Sequence, residues 1–205
     1  MHIAIAGNIG SGKTTLTTML ARHYGWTPQF ESVINNPYLE YYYRDIHRWS
    51  FNLETYFLKE RFKDILNIGK SPDTIVQDRS IFEGVYVFVA NNKDQGNMSE
   101  TDFQTYMNLF NLMMSFVRMP DLMIYLRASV PHLVENIQKR GRDYEQGMSL
   151  EYLQGLNDKY EEFIYRKYKG KVLTIEVDNL DFLNRSKDFE SIIDKIDGLL
   201  YGLFS

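Results

Sequence analysis

The sequence has no cysteine, which excludes disulfide bonds and thiolate-ligated zinc and fits a reducing compartment. No stretch approaches the roughly 18 consecutive apolar residues that a membrane span needs. There is no basic tract, and the formal net charge is −4, so strong non-specific attraction to nucleic acid is not expected. Repeats and low-complexity linkers are missing too, so residues 1–205 read as one domain with at most a small lid. The apolar start, Met1–Ala6, is short, lacks a basic flank and runs straight into glycines, which suits a first strand better than a secretory signal. These absences lead to an expectation of a cytoplasmic protein without nucleic-acid or membrane partners. Aromatic residues, by contrast, are plentiful. With 15 Tyr and 13 Phe, the core and a subunit interface account for most, leaving some for a pocket wall.

Short apolar runs bounded by turn residues predict buried strands at His2–Ala6, Thr74–Asp78, Asp121–Arg127 and Lys171–Asp178, with a further short strand at Gln29–Glu31. Thr14–Tyr24 predicts a helix closed by Gly25. Helices are also predicted over Trp49–Ile68, Thr101–Val117, Val130–Arg140, Leu150–Tyr168 and Lys187–Tyr201. Strands alternating with helices point to an α/β fold, a parallel sheet with helices on both faces. The Trp49–Ile68 and Thr101–Val117 helices each carry two apolar faces. One serves the core and the other a second copy of the chain, so a homodimer is expected.

The segment Gly7-Asn8-Ile9-Gly10-Ser11-Gly12-Lys13-Thr14 fits the P-loop pattern between a strand and a helix. Glycines let backbone N–H groups converge on phosphate oxygens, and the following helix points its positive end at the same anion. Lys13 can reach the outer phosphates, and the Thr14 hydroxyl can ligate Mg²⁺. The expected ATP site therefore runs from Gly7 through Thr15. A guanine-reading Asn-Lys-x-Asp signature is not met, because Asn92-Lys93-Asp94 is followed by Gln95.

Further segments follow in order: Glu31-Ser32-Val33, Trp49-Ser50-Phe51, Asp78-Arg79-Ser80 and Arg140-Gly141-Arg142-Asp143-Tyr144-Glu145-Gln146-Gly147. Each is weak alone. Behind a P-loop, their order and spacing resemble the deoxynucleoside kinase family, and most of all its short bacterial deoxyadenosine and deoxyguanosine kinases. The resemblance covers about His2 to Tyr168. It implies transfer of the γ-phosphate of ATP to the 5′-hydroxyl of a deoxynucleoside, with Mg²⁺ held by Thr14 and Asp78. Glu31 would take the proton of the attacking hydroxyl, and Arg79 would hold both that oxygen and Glu31. Arg140 and Arg142, on a lid over about residues 140–147, would stabilise the moving charge and shed water. Relatives often carry another arginine where this chain has Asn136. Tyr43 and Glu145 resemble the pair that holds the sugar 3′-hydroxyl, and a tyrosine under C2′ would leave little room for a ribose hydroxyl.

Glu54 and Arg61, seven residues apart, share a helix face with Phe57 between them. Glu54 has no basic residue three or four positions away, so an ordinary helical ion pair does not account for it. The resemblance sets Glu54 at a base-reading glutamine, Arg61 at a base-facing arginine and Phe88 at a stacking aromatic. It sets Gly84 where relatives have a base-reading aspartate, a loss that Glu83 could partly make good if its loop turned inward. A carboxylate offers only acceptors, which suits the N1–H and N2–H₂ donors of guanine, while Arg61 could meet O6 and N7. The chemistry leans to a purine, with guanine somewhat ahead of adenine. Two alternatives stand beside this reading. A nucleoside monophosphate kinase of the thymidylate type would need additional arginines for the acceptor's own phosphate. A non-catalytic subunit should have lost machinery that is all present here.

Overall fold

The computed structural model describes residues 1–31, 36–142 and 148–202. In chain order its elements are β1 (His2–Gly7), α1 (Lys13–Tyr24), β2 (Thr27–Gln29), α2 (Leu39–Arg44) and α3 (Ile46–Ile68). Next come β3 (Ile75–Asp78), α4 (Ile81–Glu83), a π-helical stretch Gly84–Val89, α5 (Ala90–Asp94) and α6 (Glu100–Met114). The chain continues through β4 (Leu122–Arg127), α7 (Val130–Arg140), α8 (Leu150–Glu162), a π-helical stretch Phe163–Lys167, β5 (Val172–Glu176) and α9 (Ser186–Leu200). The strands form one parallel sheet in the order β2-β3-β1-β4-β5.

The two faces of the sheet follow from the period of two along each strand. On β1, Ile3 and Ile5 face a core with Leu16 and Leu20 of α1 and Ile192 and Ile196 of α9. Ala4 and Ala6 face the other core, where Leu58 of α3, Phe110 of α6 and Tyr160 of α8 pack. The small alanines leave room there for large aromatics. Each fully buried leucine or isoleucine contributes about 1.5–3 kcal/mol. The switch from β3 to β4 on either side of β1 opens a crevice beyond the carboxyl ends of the strands, where ligands bind in such sheets.

Local chemistry sets most helix starts. Ser99, Ser129 and Ser149 each accept a backbone N–H from the first turn of α6, α7 and α8. Asp45 does the same for α3 through Arg48 N at 3.0 Å, so that helix begins three residues before the predicted Trp49. The predicted Leu150–Tyr168 helix ends as α at Glu162 and continues in π form to Lys167. The predicted Thr101–Val117 helix stops at Met114. The second strand lies at Thr27–Gln29 and not at Gln29–Glu31, which leaves Glu31 beyond its carboxyl end. Among the described residues, no helix is long and apolar enough to cross a membrane.

Candidate active site

β1 ends at Gly7, and the loop after it turns back into α1 at Lys13. The turn depends on Gly10. Its φ of +87° disfavours side chains, and a Cβ there would come within 2.8 Å of the Leu133 carbonyl oxygen. The Lys13 ammonium is curled onto the Asn8 carbonyl at 2.9 Å. Burial, and then the nearby Arg79 guanidinium, pushes its pKa down to about 8. The Thr14 hydroxyl donates to Asp78 Oδ2 at 2.5 Å, which brings the last residue of β3 to the mouth of the loop. These two hard oxygen donors fit Mg²⁺, which takes few protein ligands and fills its shell with phosphate oxygens and water. Among the described residues there is no cluster of three His, Asp or Glu that would suit a metal held by protein alone.

Asn8 departs from the expected pattern. Its side chain turns to α8, donating to the Leu153 carbonyl at 3.1 Å and to Asn157 Oδ1 at 2.6 Å. Its contribution to a phosphate is thus confined to the backbone. Asn136 reaches the same loop from α7, donating to the Gly10 carbonyl at 2.8 Å.

The inner cavity joins this loop to the sequence-predicted acceptor residues. Ile9, Gly10, Lys13 and Thr14 line one end, and Glu31, Asp78 and Arg79 the middle. Tyr43, Glu54, Phe57, Arg61 and Phe88 line the acceptor end, and Arg140 and Arg142 also line the cavity. Glu145 and the remainder of the predicted lid, residues 143–147, lie outside the described residues, as do Ser32 and Val33.

Glu31 sits at the centre of a charge network. Its Oε1 accepts from Arg61 Nε at 3.0 Å and also from Arg61 Nη2, and its Oε2 lies 3.0 Å from Arg79 Nε. Burial alone would push its carboxyl up, but Arg61 and Arg79 together hold it below the usual carboxylate value. Arg79 has φ +70°, the sole positive φ among described non-glycine residues. Its backbone N–H donates to Ile5 O at 3.0 Å, which turns the side chain from the end of β3 into the cavity. There its guanidinium lies over the Phe88 ring, 4.5 Å from the centroid. Such a backbone costs on the order of 1–3 kcal/mol and persists where the surroundings over-determine it.

A family model described as "Deoxynucleoside kinase" matches residues 3–201. The chain belongs to the deoxynucleoside kinase family. It is 38% identical to the deoxyadenosine/deoxycytidine kinase of Bacillus subtilis (strain 168), over 97% of this chain and 93% of that protein. With the deoxyguanosine kinase of the same organism it shares 34% identity over 97% of each chain. Its structure is similar to that of the deoxyadenosine kinase from M. mycoides with bound dCTP. That match has a TM-score of 0.85 and 32% identity, and covers 97% of this chain and all of the other. The protein is thus an ATP-dependent deoxynucleoside kinase.

The acceptor end of this kinase corrects one sequence expectation and adds a contact to another. Glu83 does not replace a base-reading acid. It lies on α4, fully buried, accepting from Ser80 N at 2.6 Å, the Tyr160 hydroxyl at 2.8 Å and Gly7 N at 3.4 Å. It braces the turn after β3 against the P-loop and does not line the inner cavity. Arg61 lies where the sequence placed it, lining the cavity beside Phe57, and its guanidinium also pairs with Glu31. Gly84 permits this pose, because a Cβ there would fall 2.4 Å from Arg61 Nη1.

Glu54 is 4% exposed, and Asn92 Nδ2 donates to its Oε1 at 3.3 Å. Burial raises its pKa to about 7, against the pull of Arg61. Asn92, Tyr42 and Tyr152 around Glu54 were not anticipated from sequence. Tyr42 donates to Asn92 Oδ1 at 3.3 Å and is also hydrogen-bonded to Tyr152, and both tyrosines line the cavity. Asn92 stood in a segment weighed only as a failed guanine signature, and the signal that could have found it is the apolar run before it, which marks a buried element. A second, outer cleft beside the P-loop was also missed. Gly12, Thr15, Asn136 and Arg140 line one side and Asp181–Arg185 the other.

Proposed function

We propose that this kinase transfers the γ-phosphate of ATP to the 5′-hydroxyl of a purine deoxynucleoside, with deoxyguanosine and deoxyadenosine as the acceptors. The observation that carries the reading is the single inner cavity that joins Lys13, Thr14 and Asp78 to Glu31, Arg61 and Glu54. Relatives named for deoxyadenosine and deoxyguanosine add support. In this reading Glu31 accepts the 5′-hydroxyl proton as that oxygen bonds to the γ-phosphorus, while the bond to the bridging oxygen breaks and ADP leaves. Ionised Glu31 is suited to this, and Arg79 holds it in place. Backbone N–H groups of residues 8–15 and Lys13 hold the triphosphate, and Arg140 and Arg142 face the transferring group. Thr14 and Asp78 would hold Mg²⁺, which offsets phosphate charge when bound. The outer cleft, with Phe182 against Gly12, suits the base of the donor nucleotide. Tyr43, at the acceptor end, would touch the sugar together with Glu145.

A monophosphate acceptor fits less well, because Arg61 and Arg79 are already engaged by the Glu31 carboxylate, which would repel an acceptor phosphate. Assaying the four natural deoxynucleosides and their 5′-monophosphates with ATP and Mg²⁺ tests the reading. Highest kcat/KM for the two purine nucleosides is expected. A preference for deoxycytidine, thymidine or any monophosphate would overturn it. The same reading includes a homodimer through α3 and α6. Leu112 and Phe116, at the end of α6 and just after it, are 60% and 69% exposed. Sedimentation of the protein and of a Leu112→Glu, Phe116→Glu variant checks this, with dimer mass expected only for the first.

A further inference from the structure

Glu54 is unusual among the cavity residues in having one oxygen spoken for and one waiting. Oε1 accepts from the Asn92 amide of α5, whereas Oε2 is buried and has no hydrogen-bond partner. A buried unpaired carboxylate oxygen costs free energy unless a ligand or a proton satisfies it. The two forms of the group offer different patterns. Protonated, it presents one donor and one acceptor. Ionised, it presents two acceptors. Adenine and cytosine each show a ring-nitrogen acceptor beside an exocyclic amine donor. Guanine shows two donors, N1–H and N2–H₂. The first pattern complements the acid and the second its anion.

The groups around Glu54 leave it as the one that changes charge near neutrality on this side of the cavity. Arg61 of α3 and Arg79 after β3 stay cationic: burial is the largest influence and pulls both down, but Glu31, joined by Glu54 at Arg61 and by Tyr160, Glu83 and Asp78 at Arg79, raises them overall. Glu31 stays anionic between them, its carboxyl held low. Tyr42 of α2, Tyr106 of α6 and Tyr152 of α8 are all kept neutral, first by burial; the charge of Glu54 comes next for Tyr42 and Tyr106, and follows Tyr42 for Tyr152. Asn92 does not titrate. Burial lifts Glu54 to about 7, Arg61 and Arg79 pull it down, and Glu31 adds to the rise. Lys13, lowered to about 8, lies at the phosphate end and acts on every acceptor alike.

We propose that Glu54 is a protonation-dependent specificity residue: with its proton it reads the edge of adenine or cytosine, and without it the edge of guanine. The proposal rests on the reading of the inner cavity as the nucleoside site. It makes base preference a function of pH. Since the acid form serves one substrate and the anion the other, the ratio of the two specificity constants follows the ratio of the two forms. Ionisations shared by both reactions cancel.

The test is a competition assay with deoxyguanosine and deoxyadenosine, at fixed salt, ATP and Mg²⁺, from pH 6 to 8. The ratio of kcat/KM for deoxyguanosine to that for deoxyadenosine should climb by about tenfold per pH unit. Deoxycytidine should follow deoxyadenosine. Glu54→Gln, whose amide always offers one donor and one acceptor, should give a flat ratio in favour of deoxyadenosine. A wild-type ratio constant within twofold, or a variant that keeps the wild-type slope, overturns the proposal. The wild-type profile decides even where the variant does not fold. Calorimetry near pH 7 in two buffers of different ionisation enthalpy adds an independent sign: deoxyguanosine binding should release protons and deoxyadenosine binding should take them up. Equal proton counts would refute the switch. Failure to phosphorylate any nucleoside at any pH would instead remove the nucleoside-kinase reading beneath it.

Discussion

Replacing Glu31 by glutamine separates the chemical role of that carboxylate from its structural one. In the wild type, Oε1 takes two N–H groups of Arg61 and Oε2 faces Arg79 at 3.0 Å, with all three side chains largely out of water. Glutamine keeps the shape and one acceptor, but it turns an NH₂ group toward a guanidinium and removes the carboxylate that both buried cations contact. Breaking a buried pair in this way costs about 3–5 kcal/mol. At roughly 2–4 °C per kcal/mol for a chain of this size, melting should fall by about 6–20 °C. Loss of a general base lowers turnover by about 10²–10⁴, equivalent to roughly 3–5 kcal/mol of barrier. The sign with pH follows from the lowered carboxyl: its stabilisation is present above the unfolded value of 4.5 and fades as pH falls below it. The melting gap between wild type and variant should therefore close in acid. Calorimetric or fluorescence melting from pH 3.5 to 8, beside kcat at saturating substrates and 10 °C below the variant's midpoint, gives both numbers. A large melting loss with kcat within threefold of wild type would show Glu31 to be a structural ion-pair partner and refute its role as base.

Glu54→Gln should stabilise the unliganded enzyme above neutrality. A carboxyl raised from 4.5 to about 7 on folding loses stability as pH climbs between those values, to a total on the order of 3 kcal/mol. The variant's melting advantage should grow from pH 4.5 to 7 and then level off, and a gap that does not change with pH would contradict a protonated Glu54. Gly10→Ala should weaken ATP binding at least tenfold in equilibrium titration, because φ +87° and the Leu133 carbonyl at 2.8 Å leave no place for a methyl; unchanged affinity would show that this turn does not shape the phosphate site. Gly84→Ala should push Arg61 off Glu31, because the new carbon would meet Nη1 at 2.4 Å. KM for the nucleoside should rise about tenfold with KM for ATP little changed, since a tenfold change needs only about 1.4 kcal/mol; a matched rise in both would place the effect elsewhere.

The phosphate half of the site was legible because its physics is local. A strand, a glycine turn and a helix N-terminus are contiguous, so Gly7–Thr14 carries its own geometry. The cavity-facing set on α3 was legible for a similar reason, since Glu54, Phe57 and Arg61 fall on one face by helical spacing alone. Partners drawn from distant segments were not legible. Asn92 reaches Glu54 across 38 positions, and Tyr160 reaches Glu83 across 77. The run Ile81–Val89 defeated periodicity because Val85, Val87 and Val89 are all buried in a π-helical stretch enclosed by protein, with no polar face to mark it. The shift of the second strand to Thr27–Gln29 follows from pairing with β3 from Ile75 to Gln77, a register that no local signal encodes.

Glu31 and Glu54 show how one cavity sets two carboxyl groups apart. Burial pushes both upward, and it is the largest cause acting on each. The difference lies in who touches them. Glu31 has two guanidinium groups in contact, enough to overcome burial and keep it ionised. Glu54 touches a neutral amide and feels the same arginines only from a distance, and the charge of Glu31 works against it. Arg61 acts on both carboxyl groups, so its position is shared by the end proposed to take a proton and the end proposed to read a base. A side chain at residue 84 would displace it, and a ligand group that drew it away would leave Glu31 with one cation instead of two and a greater affinity for the hydroxyl proton. On the proposed roles of the two ends, the pairing of Arg61 with Glu31 would couple the acceptor base to the chemistry through a single guanidinium.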